Sequence, residues 1–175
     1  DDKNKINFSD IISRVEKKSS NSKIAKKLRG RNILVTGGGG SIGSEICYKL
    51  LTFKPSNVLA YDNSEFALYN LQKNHPKKIL PVLGDVNDFE YINYIVKKYK
   101  INYIFHAAAY KHVNFLEKNV IQAVKNNIFG TYNVLKLCNK HKIKLTIVST
   151  DKAAKPKSVL GYSKRISEII AQKYQ

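Results

Sequence analysis

The residues best suited to chemistry in this chain are Ser149-Thr150-Asp151-Lys152 and, further along, Lys164. They bring together a hydroxyl, a carboxylic acid and two amines. Such a set can take a proton from a substrate, return one to a leaving group and hold an oxygen in place. The run follows apolar Leu145-Thr146-Ile147-Val148, so it stands at the end of an expected strand. A second group lies earlier, in Thr36-Gly37-Gly38-Gly39-Gly40-Ser41-Ile42-Gly43, between apolar Ile33-Leu34-Val35 and a segment of helical period. Strand, glycine turn and helix start together form a seat for a pyrophosphate, whose oxygens meet free N–H groups. A side chain on that turn would hold the backbone off the phosphate. Gly37, Gly40, Ser41, Ile42 and Gly43 are therefore the expected contacts.

Asp62 ends the next expected strand, about twenty residues beyond the turn, where a carboxylate can accept both ribose hydroxyls of an adenosine. It would repel a 2′-phosphate and no Arg follows it, so the cofactor expected is NAD rather than NADP. Asn63 and Val86 complete the expected adenosine side, and Asp85 suits either an adenine contact or a turn cap. Ala107 to Ala109 offer small side chains where backbone must approach a flat ring. Asn127, inside a helix where Asn is mildly unfavourable, either bonds free backbone groups or water near the site, or faces solvent. A cofactor seated this way puts Thr150, Asp151, Lys152 and Lys164 near its nicotinamide end. There Lys164 can hold the nicotinamide ribose and lower nearby pKa values. His106 and His112 are isolated, as a packed or surface histidine would be.

These groups need a scaffold. From Asn32 the pattern alternates strand and helix, which argues for a parallel sheet covered on both faces, an α/β Rossmann-like doubly wound fold. Expected strands are Ile33 to Thr36, Val58 to Asp62, Ile79 to Leu83, Tyr103 to Phe105 and Leu145 to Val148. The first helix carries Ile42, Ile46 and Leu50 on one stripe. Ser64 caps a second, bearing Phe66, Leu68, Tyr69 and Leu71, and Asp88 caps a third, with Ile92, Ile95 and Val96. One long helix spans about Val120 to Lys140, with Val120, Val124, Ile128, Val134, Leu135 and Cys138 inward. A last helix from about Val159 turns Ile166, Ile169 and Ile170 inward. Residues 1–31 read as a basic leader with an apolar patch at Ile11, Ile12 and Val15, and residues 32–175 as the dinucleotide-binding domain.

The 175 residues carry a formal charge of +18 with 31 Lys and Arg against 13 Asp and Glu. Arg is scarce and no aromatic-basic RNA-binding motif appears, so the lysines read as scattered on solvated faces rather than as a nucleic-acid site. Cys47 and Cys138 sit on apolar helix faces as small buried hydrophobes, with no ligand-spaced partner and hence no metal site. No run reaches membrane-span length. The chain starts at Asp1 and has no Met, so it reads as a fragment of a longer parent.

Taken together, the motifs resemble an extended short-chain dehydrogenase/reductase, and within it the CapD-like nucleotide-sugar 4,6-dehydratases of polysaccharide biosynthesis. The resemblance rests on Thr36-Gly37-x-x-Gly40-x-x-Gly43, Asp62-x-x-Glu65-x-x-Leu68-Tyr69 and Gly84-Asp85-Val86. It continues through His106-Ala107-Ala108-Ala109-Tyr110-Lys111-His112-Val113, Asn127-x-x-Gly130-Thr131, Ser149-Thr150-Asp151-Lys152-Ala153 and Ser163-Lys164-Arg165, covering about residues 32–172. It implies NAD as cofactor and UDP-N-acetylglucosamine or a close UDP-sugar as substrate. The implied reaction is C4 oxidation, loss of water across C5 and C6, and hydride return to C6. By the same resemblance Lys152 abstracts the C5 proton, Asp151 protonates the leaving hydroxyl and Thr150 bonds the C4 oxygen. Lys164 orients the ribose, and Lys111 and His112 lie near the substrate. The superfamily's catalytic Tyr is replaced by Leu160, which cannot transfer a proton. A UDP-sugar 4-epimerase and a non-catalytic dinucleotide-binding protein are the alternatives. The resemblance also implies a C-terminal substrate-binding portion beyond Gln175, a homo-oligomeric parent, and a cytoplasmic location, free or below an upstream membrane anchor.

Overall fold

Four of the connections between strands are helical, because the chain switches from runs of Ile, Val and Leu to segments with one apolar stripe. The computed structural model describes residues 21–74 and 78–174. In order these form α1 (Asn21–Leu28), β1 (Asn32–Thr36), α2 (Ser41–Leu51), β2 (Asn57–Asp62), α3 (Glu65–Asn74) and β3 (Leu80–Leu83). Then come α4 (Phe89–Lys98), β4 (Tyr103–His106), α5 (Val113–Lys118), α6 (Val120–Ala123), a π-helical stretch (Val124–Phe129) and α7 (Gly130–His141). The chain closes with β5 (Lys144–Ile147), a short 3-10 turn (Asp151–Ala153) and α8 (Val159–Lys173). The five strands are parallel, ordered β3-β2-β1-β4-β5.

This is a Rossmann-like doubly wound sheet with a core on each face. On one face Leu34, Leu59, Tyr61 and Ile104 pack against Ile92, Ile95, Val134 and Leu137 of α4 and α7. On the other, Ile33, Val35, Val58 and Ala60 meet Cys47, Leu50, Leu68 and Leu71 of α2 and α3. Neighbours along a strand face opposite ways, so successive apolar residues of β1 serve both layers. Leu28 of α1 is buried in the second layer. Residues 1–20 of the leader, with Ile11, Ile12 and Val15, lie outside the described residues. Cys47 and Cys138 are buried free thiols, and burial pushes both up to about 12.

Several expected helix faces are turned differently. Ile42 is exposed at the start of α2. On α3 only Leu68 and Leu71 face inward, while Phe66 and Tyr69 are solvent-facing. The long helix is not continuous: its π-helical stretch accommodates an extra residue and rotates the face that follows. Val120, ahead of that stretch, is exposed, and Val124 and Ile128 within it are only half-buried. Asn126 and Asn127 are buried in their place. On α8, Ile166 and Ile169 are exposed and Ile170 is half-buried. The inward residues are Leu160, Gly161, Ser163, Lys164 and Ser167. Small and polar groups fit there because the π stretch leaves a backbone carbonyl to satisfy. The Asn127 oxygen accepts from Thr131 Oγ1 at 2.6 Å and from Ser167 Oγ at 2.8 Å.

Candidate nucleotide site

The C-terminal ends of the parallel strands border a cavity of about 830 Å3. Its size is that of a cofactor site, and its place is where ligands of doubly wound sheets bind. The glycine turn forms one wall. Gly37 has φ +66°, a left-handed conformation, and a Cβ there would stand 2.6 Å from the Ala108 nitrogen. A Cβ on Gly43 would strike the Gly37 oxygen at 1.9 Å, so only glycine lets α2 start this close to the turn. No side chain caps α2 at Gly40. The first N–H groups of a helix lack intrahelical partners, and their partial positive charge favours an anion.

Asp62 sits beside this turn as the sequence suggests. Its Oδ2 accepts from Gly39 N at 3.0 Å and its Oδ1 from Ser64 N at 3.0 Å. The carboxylate therefore fixes the turn and keeps lone pairs for a ribose. The lining also takes in Ser41, Ile42, Asn63, Val86, Ala107 to Ala109, Lys111 and His112. The exposed Ile42 thus has a use as cavity wall. Sequence reasoning missed Tyr61, Ser64, Ala67, Gly84, Tyr110 and Phe115, which line the same space. The large exposed Phe115 on short α5 gave no periodic signal.

Asp85 is not part of that lining. Its Oδ1 accepts from Asn87 N and Nδ2 at 2.8 and 3.0 Å, and it borders a second cavity of about 530 Å3 with Lys125 and Phe129. Asn127 is likewise outside the lining and acts as a strap. Its Oδ1 accepts from Tyr110 N at 2.8 Å, and its Nδ2 donates to Tyr110 O and Ser163 Oγ, each at 3.1 Å. The strap ties the Ala107–Tyr110 segment to α8.

Beneath this segment His106 is fully buried. Thr131 spends its hydroxyl proton on the Asn127 oxygen, so it accepts from His106 Nε2–H at 3.0 Å. His106 Nδ1 then accepts from Thr36 Oγ1 at 2.6 Å. The ring is neutral: burial, with the Lys164 charge adding to it, lowers its pKa to about 3.

Thr150, Asp151, Lys152 and Lys164 group around the end of β5, off the cavity lining. Thr150 Oγ1 donates to Asp151 Oδ1 at 2.9 Å, and Lys152 Nζ lies 3.8 Å from the same oxygen. The Thr150 hydrogen bond, followed by the Lys152 charge, holds the exposed Asp151 carboxyl below its usual range. Buried Lys164 donates to the Val148 oxygen at 2.7 Å. Burial lowers its pKa, with Glu168 opposing. Glu168 also accepts from Ser149 Oγ at 2.5 Å. Leu160 points into a small core with Leu116 and Ala123, away from any proton-transfer role.

Residues 33–175 match the family model described as polysaccharide biosynthesis protein. The chain is 35% identical to the capsular polysaccharide biosynthesis protein CapD of Staphylococcus aureus, over 96% of this chain and 29% of CapD. It is 34% identical to a UDP-N-acetylglucosamine 4,6-dehydratase (inverting) of Campylobacter jejuni subsp. jejuni serotype O:23/36, over 79% of this chain and 42% of that protein. A solved UDP-glucose 4-epimerase of Bifidobacterium longum, in complex with NAD+ and UDP, superposes with a TM-score of 0.72 at 25% identity. It covers 81% of this chain and 48% of that one. The chain thus spans less than half the length of these relatives.

Proposed function

The chain belongs to the polysaccharide biosynthesis protein family, and from that premise we propose that it is the NAD-binding part of a UDP-N-acetylglucosamine 4,6-dehydratase. The observation that carries the reading is the cavity joining the glycine turn and Asp62 to Lys111 and His112. The residues fit NAD, since Gly37 and Gly43 let the turn pack against Ala108 and the start of α2, whose first N–H groups no side chain caps, and Asp62 stands beside that turn with lone pairs left for a ribose. NAD, when bound, supplies a reversible hydride acceptor. The glycine turn and the start of α2 hold the pyrophosphate, and Lys164 anchors the far ribose. Thr150 bonds the C4 oxygen and, through its hydrogen bond to the Asp151 carboxylate, passes on the proton that this hydroxyl loses as its hydride leaves. Lys152 removes the C5 proton made acidic by the C4 ketone. Asp151 is a carboxylate in the open site; a bound sugar that excludes water raises it toward the protonated form that can serve the leaving C6 hydroxyl. A UDP-sugar 4-epimerase is the second reading, favoured by the likeness to the Bifidobacterium longum structure.

Calorimetry with this chain is expected to give NAD binding and, because of Asp62, NADP binding at least about tenfold weaker. Asp62→Asn narrows that gap. Equal affinity for both nucleotides would sink the assignment. NMR of a parent chain extended to the length of its relatives, given UDP-N-acetylglucosamine, separates the reactions. A 4-keto-6-deoxy sugar supports dehydration, and a C4 epimer overturns it.

A further inference from the structure

Parallel strands put all their N-terminal ends, and the last turns of the helices that precede them, at one end of the molecule, opposite the nucleotide cavity. Among the described residues no Asp or Glu lies in the last turns of α1, α2, α3, α4 or α7, or in the segments joining them to strands. Lys97, Lys98 and Lys100 stand where α4 meets β4, and Lys140, Lys142 and Lys144 where α7 meets β5, all exposed. Exposed Arg29, Arg31 and Lys54 continue the face around β1 and β2. The lysines are therefore not evenly scattered, as composition alone suggested.

Helix dipoles explain part of this pattern, because cations favour helix C-termini. Each dipole amounts to about half a charge, so four helices offset only about two of these nine cations. Backbone geometry adds an independent sign. Lys54, Lys100 and Lys142 all occupy left-handed conformations, with φ of +54°, +49° and +53°. Glycine relieves that strain at helix ends, yet a lysine stands there three times. Aromatic rings are interleaved: Lys98 Nζ lies 5.6 Å from the Tyr94 ring and 5.4 Å from Tyr99, and Lys144 Nζ 5.6 Å from Tyr103.

We propose that this end is a docking surface for an anionic phospholipid bilayer, holding the nucleotide cavity toward the aqueous phase. Lysine point charges suit headgroup phosphates without demanding one geometry. Tyrosine is at home at a membrane–water boundary. Nucleic acid is the poorer fit, since seven of the nine cations are lysines and only Arg29 and Arg31 carry the guanidinium forks that read phosphates and bases. The two cavities described above open at the other end.

Co-sedimentation with vesicles tests this on the whole 175-residue chain. Binding is expected to phosphatidylcholine vesicles carrying phosphatidylglycerol, to weaken steeply with salt, and to be absent on phosphatidylcholine alone. Each lysine near an anionic surface contributes about fivefold in affinity, so K97Q/K140Q/K144Q should lose about a hundredfold. The matched triple K118Q/K155Q/K157Q, at the cavity end, should lose less than about threefold on the same scale. Matched thermal melts establish that the variants remain folded. Equal losses in the two triples would mean that net charge alone binds, and would overturn the assignment of this face. So would binding to neutral vesicles, no binding to anionic ones, or duplex DNA held at salt concentrations that release the vesicles.

Discussion

Acid should unfold this protein through His106. The ring is wholly buried, with Thr36 donating to Nδ1 and Thr131 accepting from Nε2–H. Its pKa falls from the ordinary 6.5 to about 3, while the unfolded chain keeps the ordinary value. A base whose folded pKa is depressed leaves stability complete above about pH 6.5 and lost as pH falls toward 3. At about 1.4 kcal/mol per pH unit, the gap of about 3.5 units amounts to about 5 kcal/mol at its limit. Between pH 7 and 4.5 it amounts to about 2–3 kcal/mol, a sizeable share of the stability of a small domain. The assay is urea unfolding at a series of pH values for wild type and His106→Gln. Carboxylates titrate in both proteins and cancel in the difference. His106→Gln is expected to be less stable at pH 7 and to lack about 2–3 kcal/mol of the wild-type loss by pH 4.5. Parallel curves for the two proteins would refute the neutral, two-hydroxyl seat.

Two further outcomes concern the fold. Lys142→Gly should raise stability by about 0.5–1 kcal/mol, read as a higher melting temperature, because glycine adopts the left-handed C-cap of α7 without strain. An unchanged or lower melting temperature would count against strain at that residue. Leu160→Tyr, which restores the superfamily's residue type, should lose about 1–3 kcal/mol in denaturant unfolding, since the site is filled by Leu116 and Ala123. Wild-type stability would mean that the side chain can swing out of that core.

The strand–turn–helix at Ile33 to Leu50 was legible because it rests on local rules. Glycine alone tolerates the Gly37 backbone, and a carboxylate at a strand end readily accepts from the turn beside it, as Asp62 does from Gly39 and Ser64. Asp88 at the start of α4 and the alternating layers of β1 were legible for the same reason. Helix faces were less so. Apolar spacing along 120–140 and 159–170 assumes a regular 3.6-residue turn and an apolar environment inside. The π-helical stretch breaks the first assumption, and the second fails on α8, where Ser163, Lys164 and Ser167 are wanted more than Ile166 or Ile169.

Sequence by itself determined the parallel α/β order, the glycine turn between β1 and α2 and the place of Asp62 beside it, since each depends on residue type within a few positions. Only the tertiary structure decided what the polar residues do. It made His106 a neutral strut and Asn127 a strap between the β4 loop and α8, and it turned Asp85 away from the main cavity. It also gathered nine of the cations at one end, for a reason no linear spacing carries: parallel strands place the exits of the helices that lead into them on the same side.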